Sequence, residues 1–116
     1  MEYYYRIRWG SAGEFKRLYF KNHAPLLEAM RQLGFVKSVV VQEPFTHMAG
    51  GPRWDLRVTI TFRDAAAAIS DPEWDRQWEL ATKRLYANRA AFEAEERDRF
   101  ALLEDHWDIV VNPVTP

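Results

Sequence analysis

The run Trp54-Asp-Leu-Arg-Val-Thr-Ile-Thr-Phe62 alternates two chemistries at period two, and neither row is the simple polar row of a solvated sheet face. Trp54, Leu56, Val58, Ile60 and Phe62 point one way, and Asp55, Arg57, Thr59 and Thr61 point the other. The amino-terminal run repeats the pattern. Tyr3, Tyr5, Ile7 and Trp9 form an apolar row, while Tyr4, Arg6 and Arg8 form a row of large hydrogen-bonding groups. A sheet built from such strands puts one face on its own helices and leaves the other as a wall for something else.

Between these strands, Gly10-Ser-Ala-Gly13 supplies a turn and a helix start. Phe15, Leu18, Tyr19, Leu26, Met30 and Leu33 then follow a helical stripe that Gly34 ends. Pro25 interrupts the stripe, so the helix is expected to kink or restart near His23-Ala24-Pro25. Phe35 to Glu43 reads as a strand, and Glu43 to Pro52 as a loop longer than most.

After Phe62 comes a short alanine-rich helical turn. Ser70-Asp-Pro-Glu73 has capping-box spacing and predicts a helix with Trp74, Trp78, Ala81 and Leu85 inward. A second helical stretch, Arg89 to Glu104, is expected to bury Phe92, Phe100 and Leu103 and to show its charged run, Glu93 to Arg99, to solvent. The last strand, His106 to Val111, alternates Trp107, Ile109 and Val111 against His106, Asp108 and Val110.

This order predicts one α+β domain over residues 1–116: a ferredoxin-like βαββαβ fold with a four-stranded antiparallel sheet in the order 4-1-3-2 and an extra helical segment before the last strand. In that arrangement Arg6, Arg8, Arg57, Thr59 and Thr61 share the uncovered face, with His106 and Asp108 expected to join them. The simplest cover is the same sheet of a second copy.

Composition narrows the function classes. With 16 basic and 17 acidic residues the chain lacks the electrostatic footprint of a nucleic-acid binder. The absence of cysteine removes disulfides, thiol catalysis and thiolate metal sites. No apolar run spans a bilayer and the amino terminus lacks a signal-peptide pattern, so the expectation is a cytoplasmic protein without a membrane partner. The three histidines show no paired metal-ligand spacing, so neither metal nor cofactor is expected.

With this strand order, the segment Phe20-Lys-Asn-His-Ala-Pro-Leu-Leu27 resembles the dimeric α+β barrel superfamily, and within it the EthD-like and monooxygenase-type branches. His23, Pro25 and Leu26 match a His-x-Pro-Leu element of those families. The third strand ending in Phe62, the alanine-rich turn and the Asp-Pro-Glu helix start extend the similarity over most of the chain. The resemblance implies a homodimer whose two sheets enclose a barrel. It also implies a cleft for a small, often aromatic molecule, and cofactor-independent isomerase or monooxygenase chemistry in some members. Haem ligation by His23 or His47 is a possibility of the superfamily alone. The charged helical stretch from Arg89 to Glu104 departs from those catalysts.

The candidate catalytic residues are His23 and His47, which stand where isomerase-type members place proton-transfer histidines. The candidate ligand-binding residues are Tyr4, Arg6, Arg8, Arg57, Trp54 and His106. Each has a plainer reading. His23 can cap the broken helix, His47 can be a solvated loop residue, and the arginines can pair with Asp55 and Asp108 across a dimer interface. A non-catalytic ligand-binding or structural homodimer is therefore the alternative. If a site exists, it is expected between the apolar face of Trp54 and the broken helix.

Overall fold

Four strands form one antiparallel sheet in the computed structural model, which describes residues 1–116: β1 (Glu2–Ile7), β2 (Val36–Gln42), β3 (Leu56–Phe62) and β4 (Leu103–Ile109). Their order is β2-β3-β1-β4, which reads 4-1-3-2 from the β4 edge. Helices α1 (Ala12–Leu18) and α2 (Ala24–Gln32) lie between β1 and β2, and α3 (Ala65–Ile69), α4 (Pro72–Leu85) and α5 (Arg89–Ala101) lie between β3 and β4. The architecture is mixed α+β and compatible with a ferredoxin-like fold. No helix is long and apolar enough to cross a membrane.

Register decides which side chain meets which layer. Tyr3 lies across from Val58 and Tyr5 across from Leu56, so the alternating residues of β1 and β3 build one apolar face. Tyr5, Ile7, Leu56, Val58 and Ile60 join Phe15, Tyr19, Leu27 and Met30 from the helices in the main core, all of them buried. Each such side chain contributes roughly 1.5–3 kcal/mol by leaving water. The opposite face carries Glu2, Tyr4, Arg57 and Thr59 and has no helix over it. The molecule is accordingly thin. Its smallest extent is 20 Å and its radius of gyration 15.2 Å, against about 13 Å for a compact chain of this length.

Strand β4 corrects the expected side of His106 and Asp108. It begins at Leu103, three residues before the expected His106, and pairs Tyr5 with His106, Tyr4 with Trp107 and Tyr3 with Asp108. His106 and Asp108 therefore stand on the helix face beside Tyr5 and Tyr3, while Trp107 and Ile109 stand on the open face beside Tyr4 and Glu2. A shift of register between Arg6 and Ile7 accommodates the extra residue at this edge.

The expected helix break takes a specific form. Tyr19–His23 is a π-helical turn joining α1 to α2 without a gap, with the Ala24 N–H donating to the Tyr19 carbonyl. Pro25 has no N–H for the Lys21 carbonyl, which would be its partner in a regular α-helix. The Tyr86 hydroxyl donates instead, reaching the Lys21 oxygen at 3.1 Å and the Asn22 oxygen at 2.7 Å. At the far end α2 closes in a Schellman motif. The Phe35 N–H donates to the Met30 carbonyl and the Gly34 N–H to that of Arg31, with Gly34 at φ +86°, where a side chain would be strained.

Helix α4 is capped by Asp71 and not by Ser70: the Asp71 side chain accepts from the Glu73 N–H at 2.9 Å, and Pro72 is the first helical residue. Its inward stripe holds at Trp74, Trp78 and Ala81, whereas Leu85 is exposed. Asn88 caps α5 through the Ala91 N–H. Two features of α5 differ from expectation: Phe100 is half exposed, and Arg99, assigned to the solvated charged face, is buried to 1% exposure.

Candidate functional site

The helix face of the sheet does not close completely against the helices. A cavity of about 190 Å³ remains between β1, β3 and β4 below and the π-turn, α4 and α5 above. Leu27, Val58, Ile60, Phe62, Trp74 and Trp78 form its apolar wall, and Tyr3, Tyr5, Tyr19, His23, Arg99 and His106 bring polar groups to it. A dry cavity of about 150 Å³ admits benzene, so this one has the size for a single ring with a small substituent.

The π-turn sets His23 over this space. The wider turn brings Tyr19, Asn22 and His23 inward, and His23 packs between Tyr19 at 5.4 Å and Trp78 at 5.5 Å, ring centre to ring centre. Part of the imidazole stays open to the cleft while protein surrounds the rest. That enclosure, then the nearby Arg99 guanidinium and His106, depress its pKa from 6.5 to about 3. His23 is therefore neutral at physiological pH, an acceptor or donor of hydrogen bonds and a weak base.

The tyrosines shift in the opposite sense. Burial, followed by the Asp108 carboxylate, pushes Tyr3 up to about 12. Burial also raises Tyr5 and Tyr19, and Arg99 partly offsets both. All three phenols remain protonated in the physiological range. Neutral groups that can donate without ionising therefore dominate the lining.

Arg99 is the main residue that sequence reasoning missed. Its Nη2 donates to Glu96 Oε2 at 2.8 Å and its Nε to Glu96 Oε1 at 3.2 Å, so one edge of the guanidinium is occupied. Its plane lies near the rings of Phe100 at 4.6 Å, Phe15 at 5.4 Å and Tyr19 at 5.8 Å. The remaining Nη1 is buried without a hydrogen-bond partner, and so is the Tyr19 hydroxyl. One signal was available: Arg99 falls seven residues after the inward Phe92, on the same helical stripe, with Glu96 one turn before it.

His106 also belongs to this cavity, on the side opposite the one expected. Its ring stacks on Tyr5 at 4.4 Å with 7° between planes, and its Nδ1 lies 2.9 Å from the Tyr4 carbonyl oxygen. A carbonyl only accepts, so Nδ1 carries the proton and Nε2 is the free nitrogen. The sheet backbone, and not Asp108, orients this imidazole.

The other candidates lie elsewhere. His47 sits exposed in the loop between β2 and β3, in a separate groove with Trp9, Met48, Arg53 and Trp54, so His23 and His47 do not converge. Trp54 is corrected as well. The chain has not yet entered β3 at this residue, and its ring packs edge-on against Tyr4 at 5.8 Å and under Arg57 at 5.3 Å, on the open-face side and outside the cavity. Tyr4 stacks on Trp107 at 5.5 Å and hydrogen-bonds to Glu2.

The arginines do not form one cluster. Arg6 donates to Glu104 at 2.9 Å and to the Gly51 carbonyl, Arg57 donates to Gln42, and Arg8 is exposed just past the end of β1. The expected neutralising partners are also redistributed. Asp55 holds the buried Arg53 at 2.6 Å and accepts the Ile7 N–H at 2.7 Å, Glu104 bridges Arg6 and Arg53, and Asp108 pairs with no arginine. No group of histidines and carboxylates has the spacing to hold a metal ion. Comparison of the chain with protein-family models, with curated proteins and with solved structures returns no match.

Proposed function

We propose that the chain is a ferredoxin-like α+β barrel protein, homodimeric through its open sheet face, that binds a small hydrophobic or aromatic metabolite in the cleft beneath the π-turn. The observation that carries the binding reading is the aromatic-walled cavity of about 190 Å³ with His23, Tyr19 and Arg99 in its lining. Small-molecule sites combine such apolar walls with a few placed polar groups. Support for the dimer comes from the opposite face, where Trp107 and Ile109 stand with Tyr4, and where Val40 is 47% and Ile109 45% exposed. A face on which Val40 on one side and Tyr4, Trp107 and Ile109 on the other flank the central Arg57 and Thr59, on a layer 20 Å thin, suits a second copy of the same sheet.

Within this reading a non-catalytic binder is favoured over a proton-transfer enzyme working through a histidine base. A general base works best with a pKa near the operating pH, and His23 is depressed to about 3. The second histidine of the isomerase-type arrangement, His47, is in another groove. Cofactor-independent isomerase or monooxygenase activity remains the second reading, supported by the His23-Ala-Pro-Leu26 resemblance.

Titration of the ¹⁵N-labelled protein with ethylbenzene and with indole tests the cleft. Saturable shifts concentrated at Tyr5, Tyr19, His23, Val58 and Trp78 are expected; shifts scattered over the surface or none at all refute it. Sedimentation equilibrium at micromolar concentration tests the dimer, and a single species of 13.7 kDa refutes it. If an activity is found, its survival in the His23→Gln/His47→Gln double variant excludes both histidines from catalysis.

A further inference from the structure

We infer that the cleft selects a neutral one-ring carbonyl compound, whose carbonyl oxygen accepts a hydrogen bond from Nη1 of Arg99. This rests on the cleft being a binding site. The observation behind it is a pair of buried polar atoms on two side chains that line the cleft: Arg99 is 1% exposed and Tyr19 is fully buried, yet Arg99 Nη1 and the Tyr19 hydroxyl have no hydrogen-bond partner. Buried donors are almost always satisfied, and leaving one charged N–H open is costly, so an acceptor belongs in this space.

The surrounding charges restrict that acceptor. Glu96 already takes two nitrogens of Arg99, which balances the guanidinium. Asp108 lies on the same sheet face, close enough to act on Tyr3 and Tyr5. Arg99 is the only arginine or lysine in the wall, and His23 is neutral. A carboxylate ligand would add a further negative charge to Glu96 and Asp108 without a further guanidinium to offset it. A carbonyl oxygen satisfies Nη1 without that penalty. The rest of the space accepts an uncharged ring, between the stacked Trp74 and Trp78, 5.7 Å apart, and the side chains of Val58 and Ile60.

Three probes of similar size separate the possibilities: ethylbenzene, acetophenone and benzoate, each followed by quenching of Trp74 and Trp78 fluorescence and by amide shifts. The expected result is that acetophenone binds about tenfold tighter than ethylbenzene, the gain of one hydrogen bond to a charged donor, and that benzoate binds more weakly than acetophenone. In Arg99→Met/Glu96→Gln, which removes the ion pair together, the preference for acetophenone disappears while ethylbenzene binding persists. Tyr19→Phe, which deletes only an unpartnered hydroxyl, provides a second variant independent of the ion pair, and its preference falls a few-fold at most.

Equal binding of acetophenone and ethylbenzene by the unmodified protein overturns the role of Arg99 and leaves the cleft standing. Tightest binding of benzoate overturns the neutral class. An unchanged preference in the folded double variant overturns the assignment to Nη1. Failure of all three probes overturns the cleft itself.

Discussion

Tyr86→Phe isolates the bond that lets Pro25 sit within a continuous helical segment. The ring keeps its place in the substitution, because it stacks on Phe92 at 4.3 Å and 21° and a phenyl group preserves that contact. What is lost is one O–H donor shared between the Lys21 and Asn22 carbonyls. A net hydrogen bond is worth about 1 kcal/mol, and a buried carbonyl left open costs about 1–3 kcal/mol. Lys21 is exposed and water can reach its carbonyl, whereas Asn22 is 1% exposed. The expected cost is therefore about 1–2 kcal/mol. At a urea m-value of about 2 kcal/mol/M this lowers the unfolding midpoint by roughly 0.5–1 M, read by circular dichroism at fixed protein concentration.

Pro25→Ala supplies the missing control. It restores an N–H that can pair with the Lys21 carbonyl, so in that background Tyr86→Phe should cost less by the Lys21 share of the bond, while the Asn22 share remains. An effect below about 0.3 kcal/mol, or the same cost in both backgrounds, refutes the coupling between Tyr86 and Pro25. The phenol also titrates in a defined window. Burial raises Tyr86 from 10.0 to about 12, so its contribution to folding is complete below about pH 10 and is lost as pH rises through about 12.

Two further predictions concern charge. His23 has its pKa lowered from 6.5 to about 3 in the fold, so its contribution to stability is complete above about pH 6.5 and declines as pH falls toward 3; His23→Phe should flatten the stability profile between pH 6.5 and 4, and an unchanged slope contradicts the burial of the ring. Asp55→Ala removes the carboxylate that holds the buried Arg53 and accepts the Ile7 N–H, so a loss of about 3–5 kcal/mol is expected by urea titration, while a loss below 1 kcal/mol shows that Glu104 alone satisfies Arg53.

Strand and helix order was legible because period-two and helical patterns alternate cleanly along the chain. Gly34 and the Asp-Pro-Glu start marked helix boundaries through backbone chemistry that acts locally. Pro25 announced an interruption, but the hydroxyl that bonds the carbonyls left beside it comes from Tyr86, sixty-one residues later, so local patterns foretell a break where a continuous π-turn forms. Arg99 was illegible for a related reason. Within Glu93 to Arg99 most charges have an opposite charge three or four residues away, which is also how a solvated face looks, and only the packing of α5 against Phe15 and Tyr19 distinguishes the buried guanidinium.

The phase of β4 shows how much function can turn on one residue of register. Its alternation was plain, but Trp107, Ile109 and Val111 were assigned to the core because they are apolar. That assumes a single apolar face. In the structure both faces of the sheet carry aromatic groups: Tyr3 and Tyr5 below the helices, Tyr4 and Trp107 on the open side. Hydrophobicity then cannot choose the phase, and pairing with β1 does so by setting Trp107 against Tyr4 and His106 against Tyr5. The consequence is chemical. A shift of one residue would return His106 and Asp108 to the arginine side and strip the cavity of an imidazole held in one tautomer, while moving Trp107 off the face proposed to meet a second subunit. The pairing of β4 with β1 therefore determines the contents of the cleft and of the open face together.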